Sequence, residues 1–145
     1  MAEKARILVV ANRTAMSDEL RQAMLERAGR GPAQFVLLVP ATAHGASRAM
    51  DPYSEVGEAK SHEEQAVESM RAAGLDVVEG IVGDPDPLAA VQDALNLGGP
   101  YDEIIVSTLP THLSKWLKLD LPHKVEGLTD KPVTHVIGQE VQAPA

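Results

Sequence analysis

The 145-residue chain contains no cysteine, which excludes disulfides, thiol nucleophiles and thiolate metal sites. Aromatic residues are scarce. Phe35, Tyr53, Tyr101 and Trp116 are all there are, too few for a platform on which bases could stack. Positive charge is outnumbered, with 13 Lys and Arg against 21 Asp and Glu for a net charge of −8. That balance repels polyanions and excludes an extended nucleic-acid groove. Long hydrophobic runs are missing too. The apolar stretch Ile7 to Ala11, behind a charged start, is far shorter than a membrane span of about 20 residues or a secretory core of about 7–15. The expectation is a cytoplasmic protein that associates with neither membranes nor nucleic acid.

What is present is an ordinary globular mix, 44% hydrophobic and 23% charged. Apolar runs alternate with helical stretches. Ile7 to Val10, Phe35 to Val39 and Ile104 to Val106 are continuous, as expected of strands covered on both faces. Val77 to Val82 and Val133 to Ile137 are interrupted by polar residues and suit sheet edges.

Between them lie helix signals. Met16, Leu20, Ala23 and Met24 are spaced for one helical face, with Ser17 or Asp18 as cap and Gly29 as a left-handed stop. Ser61-His62-Glu63-Glu64 has the form of a capping box, predicting a helix from Ser61 to about Ala73 with Gly74 as its end. Asp86-Pro87 pairs a cap with proline at the first helical position, ahead of a helix reaching Gly98-Gly99. Leu113 to Leu119 and Leu121 to Gly127 read as two short helices broken near Asp120. The twenty residues from Ala41 to Lys60 form a long connection that is either functional or partly helical.

Alternating βα units with right-handed crossovers give a doubly wound, five-stranded parallel sheet of the Rossmann-like class. The two edge strands set its order at 3-2-1-4-5. Residues 1–138 are expected to form one domain and 139–145 a flexible tail.

In such a sheet, ligands bind beyond the carboxyl ends of the strands, where strand order reverses. That point lies between the first and fourth strands. The turns Asn12-Arg13-Thr14 and Ser107-Thr108, followed by Thr111, Ser114 and Lys115, face each other there. Their hydroxyls, amide and cations, with the N–H groups of a helix start, could hold a small anion. The competing reading is that Thr14 and Ser114 only cap helices while Arg13 is solvated.

Other chemistry lacks its motif. There is no phosphate-cradling Gly-rich loop, no nucleophile elbow and no histidine pair spaced for a metal. Neither a catalytic nor a metal-ligating residue is assigned. His44, His62, His123 and His135 read as surface histidines, and His112 stands apart because of its loop. Asp84 and Asp86 serve the helix start beside them. Leu113, Trp116 and Leu117 form an apolar stripe between Lys115 and Lys118, read as the core-facing side of a helix rather than a cover for a ligand or partner.

Four segments together carry a family likeness. Ile7-Leu8-Val9-Val10-Ala11-Asn12, Glu79 to Pro85, Asp102 to Ser107 and Lys131 to Val136 resemble a universal stress protein of the UspA-like type, in order and spacing. The resemblance implies the adenine nucleotide alpha hydrolase-like fold, a homodimer through Val133–Ile137, and ATP or AMP as ligand in one branch. That branch carries G-x-x-G-x9-G-[S/T] after the fourth strand. Here the matching stretch from Ser107 holds Pro110 and no glycine before Gly127. Asn12 stands where an acidic residue is usual, and Val39 at the position whose backbone meets adenine. The resemblance therefore keeps the adenine half of a pocket and rebuilds the phosphate half. Three roles are weighed: a universal-stress-like regulatory or binding protein without catalysis, from the absent motifs; an adenine-nucleotide protein with an altered phosphate loop, from the Asn12 and Ser107 turns; and a dimeric interaction module, from the open edge strand Val133–Ile137.

Overall fold

A computed structural model describes residues 4–41, 52–110 and 112–139. Five strands, β1 (Ala5–Val10), β2 (Ala33–Pro40), β3 (Val77–Gly83), β4 (Glu103–Thr108) and β5 (Val133–Ile137), form one sheet in the order β3-β2-β1-β4-β5. Every pairing is parallel. The edge strands are the two whose apolar runs are interrupted, because each has only one neighbour to bury it.

Strand side chains alternate between two helical layers. Ile7, Val9, Phe35 and Leu37 pack with Leu20 and Met24 of α1 (Asp18–Gly29) and with Ala66 and Met70 of α2 (Pro52–Ala72). Leu8, Val10, Val36 and Ile104 point the other way. They meet Ala90, Val91 and Ala94 of α3 (Pro87–Gly98) and Leu121 and Val125 of α5 (Leu121–Glu126). Each large side chain buried this way contributes roughly 1.5–3 kcal/mol, so the central strands anchor the fold.

Helix ends follow the sequence in most places. Ser17 caps α1 by accepting from the Leu20 N–H at 3.2 Å. Asp86 caps α3 through the Leu88 N–H at 3.0 Å, and Asp84 in turn accepts from the Asp86 N–H at 2.8 Å. Gly74, at φ +95°, ends α2 in a conformation that side chains disfavour. The break between α4 (Lys115–Lys118) and α5 falls at Asp120, whose φ of 57° places it in the left-handed region.

Two expected helix ends are corrected. Gly29 is the last residue of α1, and the right-handed Arg30 caps it by bonding to the Arg27 carbonyl. Ser61 does not start α2, which begins at Pro52. The buried stripe of Ala59, Glu63, Ala66, Val67 and Met70 extends past Ser61 in both directions. Ser61 and Glu64 lie exposed on the opposite side, so tertiary burial overrides the local capping signal. Proline is tolerated at the new start because first-turn N–H groups have no helical partner.

The long connection is therefore helical from Pro52 on. Residues 42–51, Thr111 and 140–145, which the sequence reading also invoked, lie outside the described residues. Gln139 donates its N–H to the Glu19 carboxylate at 3.2 Å. Among the described residues no helix is long and apolar enough to cross a membrane.

Candidate functional site

A cleft of about 220 Å³ opens at the carboxyl edge of the sheet, above β1 and β4. Its lining includes Asn12, Arg13, Thr14, Ser107, Thr108 and Ser114, so six expected site residues from distant segments meet there. The topology explains the meeting. β1 and β4 pair in register from Ile7↔Glu103 to Val10↔Val106, so their outgoing turns emerge side by side.

The floor is polar and nearly dry. Thr14 Oγ1 and Ser107 Oγ lie 2.5 Å apart, and both residues are almost fully buried. Two hydroxyls that share one hydrogen leave a single hydroxyl hydrogen to offer a ligand. Asn12 is held at both ends. Its side-chain amide donates to the Pro40 carbonyl at 2.7 Å, and its own carbonyl accepts from His62 Nε2 at 2.5 Å. Thr108 is committed elsewhere. Its hydroxyl donates to the Leu109 carbonyl at 2.9 Å and contacts His135 Nε2 at 2.8 Å. With its hydrogen on the Leu109 carbonyl, the hydroxyl accepts from His135 in the tautomer that carries the ring proton on Nε2. Partial desolvation lowers the pKa of this imidazole from its ordinary 6.5 and favours the neutral form.

Several expectations change. Val39 lines no part of the cleft; it is fully buried in the core on the α1 side, because strand alternation turns it down into that layer. Pro40 and Ala41, just beyond it, form the cleft wall instead. Thr14 does not cap α1, since Ser17 does. His112 is exposed and outside the lining, whereas His62 and His135, read as surface histidines, bond to the turns that shape the site. Among the described residues no three His, Asp or Glu side chains are grouped to hold a metal ion.

The anion-holding kit is also smaller than the sequence suggests. The α4 helix is a single turn, and its Leu117 N–H is taken by Ser114 Oγ at 3.1 Å. The start of α1 is occupied by Ser17 and carries Asp18 and Glu19 in its first turn; that of α3 is occupied by Asp86. Anionic side chains at those ends oppose a phosphate there. Arg13 and Lys115 are the cations on the lining.

The apolar stripe is not buried as expected. No residue of α4 is buried; Trp116 is half-buried against the core on the α3 side and also lines the cleft. Leu113 and Leu119 are 57% and 54% exposed at its mouth, with Leu109 beside them. Pro85, from the β3–α3 turn, and Pro87, the first residue of α3, complete the lining. These positions follow from a turn too short to bury its own leucines, which the helical spacing alone did not disclose.

No protein-family model matches the chain, nor does any curated protein sequence. Solved structures do. A universal stress protein from Archaeoglobus fulgidus superposes with a TM-score of 0.61 at 18% identity, over 91% of this chain and 93% of that one. A universal stress protein in complex with cAMP gives 0.60 at 17% identity, over 95% and 100%. The Archaeoglobus fulgidus universal stress protein in complex with dAMP gives 0.54 at 20% identity, over 94% and 99%. Strand order, the parallel sheet and nearly full coverage agree, and the chain has the Rossmann-like α/β fold of the universal stress proteins.

Proposed function

We propose that this chain is a binding protein of the universal stress family, with no turnover of its own, and that its cleft takes a nucleoside or nucleoside monophosphate in preference to ATP. The cleft between the β1 and β4 turns carries the reading. It sits where the fold binds ligands, and its floor of Asn12, Thr14 and Ser107 offers uncharged hydrogen-bonding groups suited to a base and a sugar. Two structures of the same fold hold cAMP and dAMP, both monophosphates.

Two features weigh against a triphosphate. The stretch after β4 has no glycine before Gly127 to let backbone N–H groups close on a phosphate chain, and the nearby helix starts are already capped. The expectation of no turnover draws on the lining, where no described residue is Asp, Glu or His to serve as general base.

Calorimetric titration with adenosine, AMP, ADP and ATP tests the reading. AMP or adenosine should bind more tightly than ATP, without release of phosphate over hours. Steady hydrolysis, or binding that strengthens with each added phosphate, would refute it.

A second reading concerns assembly in the cytoplasm. The outer edge of β5 pairs with no strand among the described residues, and Ile137 on it is half exposed. Such an edge recruits another chain, and a homodimer through Val133–Ile137 would cover it. Sedimentation at micromolar concentration should give the dimer mass; a monomer would refute this second reading alone.

A further inference from the structure

The turn after β1 is held from three directions. The Asn12 carbonyl accepts the Ala15 N–H at 3.1 Å, closing a turn that contains Arg13 and Thr14. The Asn12 side chain reaches Pro40, and Thr14 shares a hydrogen with Ser107. The third anchor is His62 of α2, whose Nε2 lies 2.5 Å from the same Asn12 carbonyl. A carbonyl can only accept, so Nε2 carries a ring proton and donates it.

These anchors differ in what a ligand can do to them. Asn12, Pro40, Thr14 and Ser107 all line the cleft, so a molecule on the floor competes for their hydrogen bonds. His62 lies outside the lining, 50 residues along the chain from Asn12. Its bond to the turn persists when the floor changes partners. His62 is only half-buried, and α2 is seated by Ala59, Ala66, Val67 and Met70. Replacing the ring therefore leaves the helix in place.

We propose that His62 is a positioning residue, holding the Asn12–Ala15 turn in its ligand-ready shape through Nε2–H without touching the ligand. This rests on the reading of the cleft as a nucleoside site. A turn fixed beforehand spares the ligand the cost of ordering it.

Calorimetry on the full chain with AMP and adenosine tests the proposal. His62→Leu keeps an apolar bulk and loses the donor; His62→Gln carries an amide N–H that can donate from a similar reach. His62→Leu should weaken both ligands about three- to tenfold, the worth of one hydrogen bond, and His62→Gln should restore most of the loss. Ser61→Ala, one residue away and exposed, should bind as the parent does. Equal affinity of His62→Leu and the parent overturns the proposal, as does His62→Gln binding as weakly as His62→Leu. Nitrogen NMR of the unliganded parent gives a check that needs no variant. The His62 proton should be found on Nε2, and a ring protonated on Nδ1 alone overturns the proposal. A parent chain that binds neither AMP nor adenosine removes the nucleoside reading itself, and the positioning role falls with it.

Discussion

The two edges of the sheet are built from different chemistry. At the amino edge, charges close the structure. Two nitrogens of Arg27, Nη2 and Nε, reach the same Glu103 oxygen at 2.6 and 2.7 Å, tying the end of α1 to the start of β4. Lys4 pairs with Asp76 at 2.6 Å, and Asp102 accepts from the Arg6 N–H at 2.8 Å. At the carboxyl edge, hydroxyls, an amide and apolar side chains surround a hollow, with Arg13 and Lys115 on its lining and no described carboxylate. The difference separates two tasks. Ion pairs lock the ends of helices and strands together where nothing has to enter. Uncharged polar groups leave a floor that can exchange its partners for a ligand at low cost.

Breaking the amino edge should have the largest effect on stability. Arg27 and Glu103 have side chains only 15% and 23% exposed, which places the pair between surface and buried ion pairs. Hydrogen bonding to Glu103 raises the Arg27 pKa, so the cation persists at any working pH. Arg27→Met should cost about 1–3 kcal/mol, between the ~0–1 of exposed pairs and the ~3–5 of a broken buried pair. The urea midpoint should fall while ligand affinity stays unchanged. An equal loss of affinity would mean that the two edges are coupled.

At the carboxyl edge the weights reverse. Ser107→Ala leaves the buried Thr14 hydroxyl without its partner and should cost about 1–2 kcal/mol. The same substitution should weaken nucleoside binding at least tenfold in calorimetry. Intact binding after Ser107→Ala would remove the floor from the site.

The smallest effect sharpens the comparison through pH. His135 has a lowered native pKa, so its neutral form stabilises the fold above the unfolded value near 6.5. That contribution is fully present above 6.5 and is lost as the pH falls through the lowered native value. His135→Gln has no such group. Its stability deficit relative to the parent chain should shrink between neutral pH and about pH 5, with the Arg27→Met deficit constant over that range. Parallel denaturation midpoints for His135→Gln and the parent at both pH values would contradict this assignment.

Much of this was legible in residues read one stretch at a time. Continuous runs such as Ile7 to Val10 reveal strands buried on both faces, and interrupted runs reveal edges. The strand order then locates the cleft, which is why Asn12 and Ser107 could be named together. Local signals misled where packing outweighed them. The capping box at Ser61 lies within a longer helix because the buried stripe continues past it. The roles of His62 and His135 had no local signature. They depend on where α2 crosses β1 and on a register that sets Thr108 beside Ile137 and Val106 beside His135.

The sequence alone determined the succession of strands and helices, since apolar periodicity follows directly from which faces must leave water. It also determined the lack of glycine after β4, where side chains keep the backbone N–H groups from closing on a ligand. Only the tertiary structure decided which polar groups are already engaged and which apolar ones stay exposed. Hydrogen bonds such as Thr14 to Ser107 join residues far apart in the chain, and no local pattern encodes them. The character of the cleft is the remainder once those partners are taken.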